Sequence, residues 1–284
     1  MNKLVKSLIF NNEISLSVLD TTDMVNRAIK IHGLTPVTAA AFGRTITACS
    51  FMASGLKNQR DKLSVTVVGG GPIGKITVCG NGDLQMRGYV DNPFVDIPLK
   101  PNGKLDVSGA VGVNGRITVI KSMGIKEQYS GSSQIVSGEI AEDFTSYFAH
   151  SEQQPTAMAL GVRIGVTGKC VGAGGVIMQP LPFTSEESLE KAEKLMHEFS
   201  NVSSLVEQFG AEGIMQKYFP DVEFNEYFPK YKCLCSRKYL KGILVSLGKA
   251  EIEDILSKEQ KIEIKCEFCG KNYVFTKEDT EKLF

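Results

Sequence analysis

The sequence predicts an α+β protein with an N-terminal core domain of mixed sheets and helices, a helical connecting segment and a small C-terminal four-cysteine zinc module. Short β-branched runs separated by glycines follow one another from residue 63 to 178, which favours an antiparallel sheet over a doubly wound fold. Residues 181–230 carry ten acidic and four basic side chains. Four of the seven cysteines lie in the remainder of the chain. We therefore expect domains at 1–180, 181–230 and 231–284.

Local signals predict the first elements of the core domain. Residues 13–19 have strand character, and 21–32 predict a helix that ends at Gly33. Thr35 and Pro36 then open a second helix, because threonine is a favourable N-cap and proline suits the first helical position. The second helix is apolar on all sides, so we expect it to be deeply buried.

The other strands of the core domain are predicted from β-branched runs bounded by glycine or polar turns. These runs are 63–68, 75–79, 84–90, 116–120, 157–166 and 170–178. One helix, at 143–150, is expected between two of them.

The acidic connecting segment has a helical pattern. Thr184 and Glu187 have the spacing of a capping box, and apolar residues recur at helical spacing among charged ones from 189 to 199. Residues 201–209 and 211–219 predict two further short helices. A segment that docks through one apolar stripe can be released at moderate cost and can then offer that stripe to unfolding proteins. The alternative is a permanently packed linker helix.

Composition excludes several classes of protein. The 32 basic and 32 acidic residues give no net charge, which argues against a main role in non-specific binding of nucleic acid or anionic lipid. No apolar stretch reaches the roughly 18–20 residues of a membrane-spanning helix. The apolar patch Leu8–Phe10 is too short for a signal peptide. We expect a cytoplasmic protein that has no membrane partner.

A glycine-rich stretch, 69–74, fits the pattern G-x-G-x-x-G, with Asp91 at a suitable distance. A dinucleotide site requires a helix to begin at that turn, whereas 75–79 is β-branched and predicts a strand. A P-loop requires Ser or Thr after its lysine, and this chain has Ile76. We therefore predict a hairpin turn at 69–74, and no nucleotide site.

The sequence offers little support for nucleophilic catalysis. It contains no G-x-S-x-G motif and only three histidines. Cys49, Cys79 and Cys170 each lie singly among apolar or small residues, so we predict buried, unreactive thiols. We do not expect an enzyme.

The other four cysteines form two close pairs, Cys233 with Cys235 and Cys266 with Cys269, separated by 30 residues. This spacing in a cytosolic protein is a strong signal for a four-cysteine zinc site. Gly270 permits the positive φ that follows a zinc knuckle, and strands are predicted on both sides, at 261–265 and 273–276. No histidine lies in 231–284, so the only complete ligand set is the four thiolates.

Four thiolates around Zn²⁺ leave a formal charge of −2. Four lysines flank the cysteines: Lys232, Lys238, Lys265 and Lys271. They either offset that charge or are simply solvated, and the sequence leaves both interpretations open.

The small size of the module should couple metal binding to folding. A core of this size supplies about 3–5 kcal/mol, whereas structural zinc contributes about 10–16 kcal/mol of apparent binding free energy. The metal contribution is the larger one. Loss of zinc should therefore unfold the module.

The chain resembles the redox-regulated heat-shock chaperones of thirty-three kilodaltons over nearly its whole length. The specific features are CLC at 233–235 and CEFCG at 266–270. Three N-terminal stretches support them: TPVTAAAFGRT at 35–45, RGYVDNP at 87–93 and SEQQP at 151–155.

The resemblance implies a cytoplasmic stress-response chaperone, a holdase that works without ATP and is inactive while its four cysteines bind one zinc ion. It further implies that oxidants such as peroxide release the zinc and form the disulfides Cys233–Cys235 and Cys266–Cys269. The terminal module and the connecting segment then unfold and bind unfolding client proteins, and the activated protein tends to form a homodimer.

The two disulfides should not form equally easily. A CxxC turn already suits a disulfide, whereas cysteines two positions apart require a bent backbone. We therefore expect Cys266 and Cys269 to be oxidised first.

Two other classes of function remain as alternatives. One is a nucleic-acid-binding protein with a purely structural zinc ribbon, against which the nearly balanced charge of 231–284 argues. The other is a nucleotide-dependent enzyme that uses the glycine-rich loop, which the strand after that loop disfavours.

Overall fold

The computed structural model of the chain describes residues 1–124, 128–281 and 283. It divides into two compact units, Met1–Tyr231 and Lys232–Phe284, called here the first unit and the second unit. The first contains two sheets and several helices, and the second contains the four-cysteine motifs. The predicted α+β class is confirmed.

The strands of the first unit are β1 (Lys3–Ile9), β2 (Ile14–Asp20), β3 (Lys62–Val68), β4 (Lys75–Asn81), β5 (Gln85–Val90), β6 (Arg116–Ser122), β7 (Tyr129–Gln134), β8 (Ala157–Ile164), β9 (Cys170–Pro180), β10 (Asn225–Tyr227) and β11 (Lys230–Tyr231). Its helices are α1 (Thr22–His32), α2 (Pro36–Ala53), α3 (Val107–Val111), α4 (Ala141–His150), α5 (Glu186–Glu198) and α6 (Val202–Tyr218). The strands and helices predicted for the core domain are confirmed, with small differences at their ends. The sequence did not indicate β1, β7 or α3.

The strands form a five-stranded sheet of order β10-β1-β2-β9-β8 and a six-stranded sheet of order β11-β5-β4-β3-β6-β7. Pairing is antiparallel throughout both sheets, except that β11 runs parallel to β5. Helix α2 contacts strands of both sheets and lies between them, while α5 and α6 cover the other face of the five-stranded sheet.

Helix α2 is buried along nearly its whole length, as its apolar sequence predicts. Three of its buried hydroxyls are satisfied within the helix, because those of Thr45, Thr47 and Ser50 each donate to the carbonyl oxygen four residues earlier. Thr35 occupies the N-cap position, but its hydroxyl bonds the carbonyl oxygen of Val95 at 2.5 Å instead of capping the helix. In the part of the chain that the structure describes, no helix has the length and apolar character that a membrane crossing requires.

The glycine-rich loop connects β3 to β4, so the predicted hairpin is confirmed. The backbone N–H groups of Gly71 and Ile73 donate to the carbonyl oxygens of Val111 and Ala110, at 2.9 and 3.1 Å. A Cβ atom at Gly69 or Gly71 would collide with that backbone. The glycines therefore allow two backbone segments to pack closely, and these N–H groups are used within the fold.

The connecting segment contains helices α5 and α6. The predicted pair of short helices at 201–219 and the predicted cap at Thr184 have different outcomes. Helix α6 is broken at Gly210, where φ is 63°, so the predicted pair of short helices is confirmed. The predicted cap at Thr184 is wrong, because α5 begins one residue later. Ser185 is the N-cap and its hydroxyl accepts from Ser188 N–H, whereas the Thr184 hydroxyl donates to the carbonyl oxygen of Glu13 at 2.8 Å.

Helix α5 buries fewer side chains than helix α6. In α5 only Ser188 and Ala192 are buried. Helix α6 and the turn before it bury a larger apolar set against the five-stranded sheet: Phe199, Val202, Val206, Ala211, Ile214 and Met215. Lys3 of β1 adds ion pairs to Glu212 of α6 and Glu226 of β10, with N–O distances of 2.6 and 2.9 Å.

The second unit contains α7 (Arg237–Leu247), α8 (Lys249–Glu259), β12 (Lys261–Lys265), β13 (Asn272–Thr276) and α9 (Lys277–Glu281). Strands β12 and β13 form an antiparallel hairpin, which confirms the strands predicted on both sides of the knuckle. Its buried apolar core is small: Leu240, Leu244, Ile252, Ile262, Tyr273 and Phe275.

Candidate metal centre

The second cysteine pair lies in the turn that joins β12 to β13. Cys266 accepts backbone hydrogen bonds from Cys269 at 3.3 Å and from Gly270 at 2.8 Å, and its own N–H donates to Lys271 at 2.9 Å. Gly270 has a φ of 68°, as the knuckle motif predicts. This turn places Cys266 and Cys269 on the same side of the hairpin end.

The first cysteine pair lies just before α7. Ser236 is the N-cap of that helix, and its hydroxyl accepts from the backbone N–H of Tyr239 at 3.1 Å. The cap fixes the backbone immediately after Cys235. Arg237 in the first turn donates to the carbonyl oxygen of Val274 at 2.8 Å and pairs with Asp279 at 2.7 Å. These contacts hold the start of α7 against β13 and therefore beside the knuckle.

All four sulfurs come together, each within 4.8 Å of the others. The Sγ atoms of Cys233 and Cys266 are 3.6 Å apart, and those of Cys235 and Cys269 are 3.4 Å apart. A Zn–S bond of about 2.3 Å in a tetrahedral site places the sulfurs about 3.8 Å from one another. The cluster can therefore hold a metal ion, and its donors suit zinc.

Burial and neighbouring groups shift the pKa of Cys235, Cys233 and Cys269. Burial opposes ionisation of Cys235, but hydrogen bonds from the Tyr273 hydroxyl and from the neighbouring thiols outweigh it and lower the pKa of Cys235 to about 7. Burial raises the pKa of Cys233 and that of Cys269. Four thiolates so close together would require a cation to balance their charge.

Tyr273 is a contributor to the site that the cysteine spacing does not reveal. Its hydroxyl oxygen lies 3.1 Å from the sulfur of Cys235, a hydrogen bond that raises the pKa of Tyr273 to about 12. Lys271, one of the four flanking lysines, places its ammonium nitrogen 5.1 Å from the centroid of the Tyr273 ring. A tyrosine in the strand after a knuckle was the only signal in the sequence for this contact.

The three remaining cysteines lie in the first unit. Cys49 and Cys170 are buried as predicted, and burial raises the pKa of both, that of Cys170 to about 12. The prediction for Cys79 is wrong. Residues of β4 alternate between faces, so Ile76 and Val78 point inward while Cys79 is partly exposed, with its sulfur 3.5 Å from the Ser64 hydroxyl oxygen.

Comparisons with known proteins agree over the full length. Residues 2–276 match the family model described as Hsp33 protein. The 33 kDa chaperonin of Caldanaerobacter subterraneus subsp. tengcongensis is 43% identical over 284 residues, which cover 99% of this chain and 97% of that protein. That of Bacillus pumilus is 40% identical over 286 residues, covering 100% and 98%. The crystal structure of the 33 kDa chaperonin from Thermotoga maritima has a TM-score of 0.89 at 31% identity, covering 99% of this chain and 97% of that one.

An α+β unit followed by a four-thiol unit, in a sequence with these relatives, defines the class of protein as a molecular chaperone. The chain belongs to the Hsp33 family. Its relatives carry the names of chaperonins and not of enzymes.

Proposed function

We propose that this chain is a redox-regulated, ATP-independent holdase that binds unfolding or oxidatively damaged proteins and prevents their aggregation. The observation that carries the proposal is the cluster of four sulfurs, within 4.8 Å of one another, in a small unit of an Hsp33-family chain. Clustered thiols of this kind react with oxidants. Because the core of the second unit is small, its folding depends on the metal or bonds that link the four sulfurs.

In the reduced, inactive state, Cys233, Cys235, Cys266 and Cys269 hold one zinc ion per chain. When bound, zinc keeps the sulfurs as thiolates and joins the two motifs. Tyr273 and the neighbouring backbone orient the sulfurs, and the buried core of the second unit forms around them. Because that core supplies only about 3–5 kcal/mol, we expect the reduced unit to unfold when the metal is removed.

Activation is oxidation of the four cysteines by a peroxide or a similar oxidant. Peroxide converts one sulfur to a sulfenic acid and leaves as water, and the partner thiol then displaces a second water to form the disulfide. Each disulfide takes two electrons from its pair of sulfurs and reduces one peroxide to two waters, and the two protons that this requires come from free thiols or, for zinc-bound thiolates, from solvent. A disulfide sulfur is no longer an anionic ligand, so oxidation also releases the metal.

We propose the disulfides Cys233–Cys235 and Cys266–Cys269, although sulfurs of different motifs also lie close together, at 3.6 and 3.4 Å. In a tetrahedral cluster all pairs are nearly equidistant, so proximity does not select the pairing. Chain connectivity selects the pairing, because cysteines two or three positions apart stay close when the unit unfolds. Cysteines of different motifs separate, and closing that longer loop costs entropy.

The connecting segment, 181–230, is the part that we propose senses unfolding stress and binds clients. Helix α5 is held by few buried side chains, whereas α6 covers an apolar sheet face that includes Val5, Leu16 and Val18. Unfolding of the second unit removes the folded neighbour that follows this segment in the chain. Release of the segment then exposes apolar surface on the helices and on the sheet.

We place this activity in the cytoplasm during oxidative and unfolding stress. Unfolding proteins are its partners, and the activated form is a homodimer. The cycle uses neither nucleotide nor nucleic acid, and it does not involve a membrane.

The test is suppression of aggregation of a thermally unfolding client, followed by light scattering without ATP. We expect reduced protein to be inactive and peroxide-treated protein to be active. Cys79→Ser is the matched control, because it removes a partly exposed thiol outside the cluster and should leave the response unchanged. Equal activity of the reduced and oxidised protein would show that the cysteines do not regulate it.

A further inference from the structure

A cavity of about 270 Å³ opens beside the C-terminal end of α2 in the first unit. Its floor is apolar and is formed by Phe51 and Met52 of α2, Leu56 in the following turn and Phe148 of α4. The ring centroids of Phe51 and Phe148 are 5.8 Å apart. Aromatic and aliphatic walls of this kind accommodate the hydrocarbon part of a small ligand.

Three lysines line the same cavity: Lys6, Lys57 and Lys121. Lys121 is already paired with Glu152, at an N–O distance of 2.6 Å. Among residues 1–124, 128–281 and 283, no ion pair includes Lys6 or Lys57. Lys6 and Lys57 therefore line the cavity without a carboxylate partner in the described residues.

Lys6 is the more unusual of the two. It lies on the same face of β1 as Leu4, which packs in the core between the sheets. Its ammonium nitrogen is 5.5 Å from the centroid of the Phe51 ring and 5.8 Å from that of Tyr227, and burial lowers the pKa of Lys6. A partly dehydrated ammonium group gains more from an incoming anion than a fully solvated lysine does.

A purely structural role for Lys6 explains only part of this arrangement. Its nitrogen is 3.5 Å from the carbonyl oxygen of Ser54, and a lysine at a helix C-terminus is favourable. That distance is long for a hydrogen bond. The contact also does not explain why Lys57 and several apolar side chains line the same cavity.

We propose that this cavity binds a small carboxylate with an apolar body, with the carboxylate facing Lys6 and Lys57 and the body lying against Phe51 and Phe148. A cavity of about 270 Å³ suits a small molecule. Apart from the lysines, the polar side chains that line it are Ser15 and Gln179, which are few donors for a phosphate group.

The test measures binding of phenylbutyrate to the reduced full-length protein by calorimetry or NMR titration. Phenylbutanol is the matched neutral ligand, since it has the same body without the carboxylate. Lys6→Met removes the charge and keeps the side-chain length, Lys6→Arg keeps the charge, and Lys30→Met on α1 is the control at an exposed lysine.

We expect the alcohol to bind about tenfold or more weakly than the acid, because a charge-assisted contact contributes about 1.5–3 kcal/mol. Lys6→Met should lower the affinity for phenylbutyrate by a similar factor, whereas Lys6→Arg and Lys30→Met should leave that affinity unchanged. Equal binding of acid and alcohol would overturn the proposal, and so would the absence of saturable binding. Both of these results come from the unmutated protein, so they decide the question even if Lys6→Met does not fold.

Discussion

The hydroxyl of Tyr231 donates to the backbone carbonyl oxygen of Gly88 at 2.8 Å. Tyr231 ends β11, which runs parallel to β5 at the edge of the six-stranded sheet, and its hydroxyl oxygen also lies 3.1 Å from Nε2 of His32. Cys233 follows only two residues later in the chain. Tyr231, the last residue of the first unit, is therefore anchored to the six-stranded sheet two positions before the first candidate metal ligand.

Tyr231→Phe should loosen this end of the segment without removing the ring. The substitution removes the bond to Gly88 and the contact with His32. One hydrogen bond contributes about 1 kcal/mol, so backbone amides of β10 and β11 should exchange with solvent at least about fivefold faster. Hydrogen exchange by mass spectrometry on the reduced protein measures this. Tyr239→Phe is the control, because that side chain is 64% exposed. Unchanged exchange in β10 and β11 would show that the hydroxyl does not hold the segment.

The two helices of the connecting segment should respond differently to truncation of an apolar side chain. Ile214 in α6 is fully buried, whereas Leu189 in α5 is 37% exposed. Ile214→Ala should cost about 2–5 kcal/mol, and Leu189→Ala about 1 kcal/mol or less.

Because release of α6 is the step that we propose exposes the binding surface, Ile214→Ala should also lower the temperature at which the protein captures clients. The expected decrease is on the order of 10 °C. Aggregation assays at stepped temperatures measure it. If the variant melts at a lower temperature but does not capture clients at a lower temperature, release of α6 is not the step that exposes the binding surface.

Sequence patterns predicted the elements whose signal is local. Helix α2 is apolar on every side because it lies between two sheets, and β3 and β4 alternate because only one face is buried. Strand β1 was missed because Lys3 and Lys6 interrupt its apolar pattern, and the partners of Lys3, Glu212 and Glu226, come from distant parts of the chain. Strand β7 was missed because its sequence, YSGSSQ, is almost wholly polar.

Some residues of the candidate site could be predicted from the sequence, and others could not. Cysteine spacing indicates four ligands of one site because two close pairs are a local signal. The contact of Tyr273 with Cys235 arises only when the hairpin folds back beside α7. The cap at Ser185 was misassigned because Thr184 has equally good capping chemistry, and the bond from Thr184 to Glu13 is made across the fold.

The two cysteine pairs should oxidise in a fixed order. Cys266 and Cys269 lie in a turn that suits a disulfide, whereas Cys233 and Cys235 require a bent backbone. Cys266–Cys269 should therefore form first, and the second disulfide should need raised temperature as well as oxidant. Time-resolved thiol trapping with peptide mapping at two temperatures tests this. A Cys233–Cys235 disulfide in molecules whose other two cysteines are still thiols would contradict the order.

Removal of the second unit should mimic oxidation. A chain that ends at Lys230 lacks the cysteine motifs and also Tyr231, so the connecting segment loses its restraint. We expect it to suppress client aggregation without any oxidant, at a level close to that of the oxidised full-length chain. Reduced full-length protein is the control. If the truncated chain stays folded by circular dichroism and fails to suppress aggregation, the second unit does not restrain a binding surface.

Coupling between the metal and the cysteines is best tested by native mass spectrometry on samples that are assayed for client binding at the same time. The reduced, inactive protein should carry one zinc ion per chain, and Cys266→Ser combined with Cys269→Ser should carry none. After peroxide treatment the active protein should contain no zinc and should be four hydrogens lighter than the metal-free reduced chain, which is the mass change of two disulfides. Client binding by a species that still holds zinc and all four thiols would contradict the proposed switch.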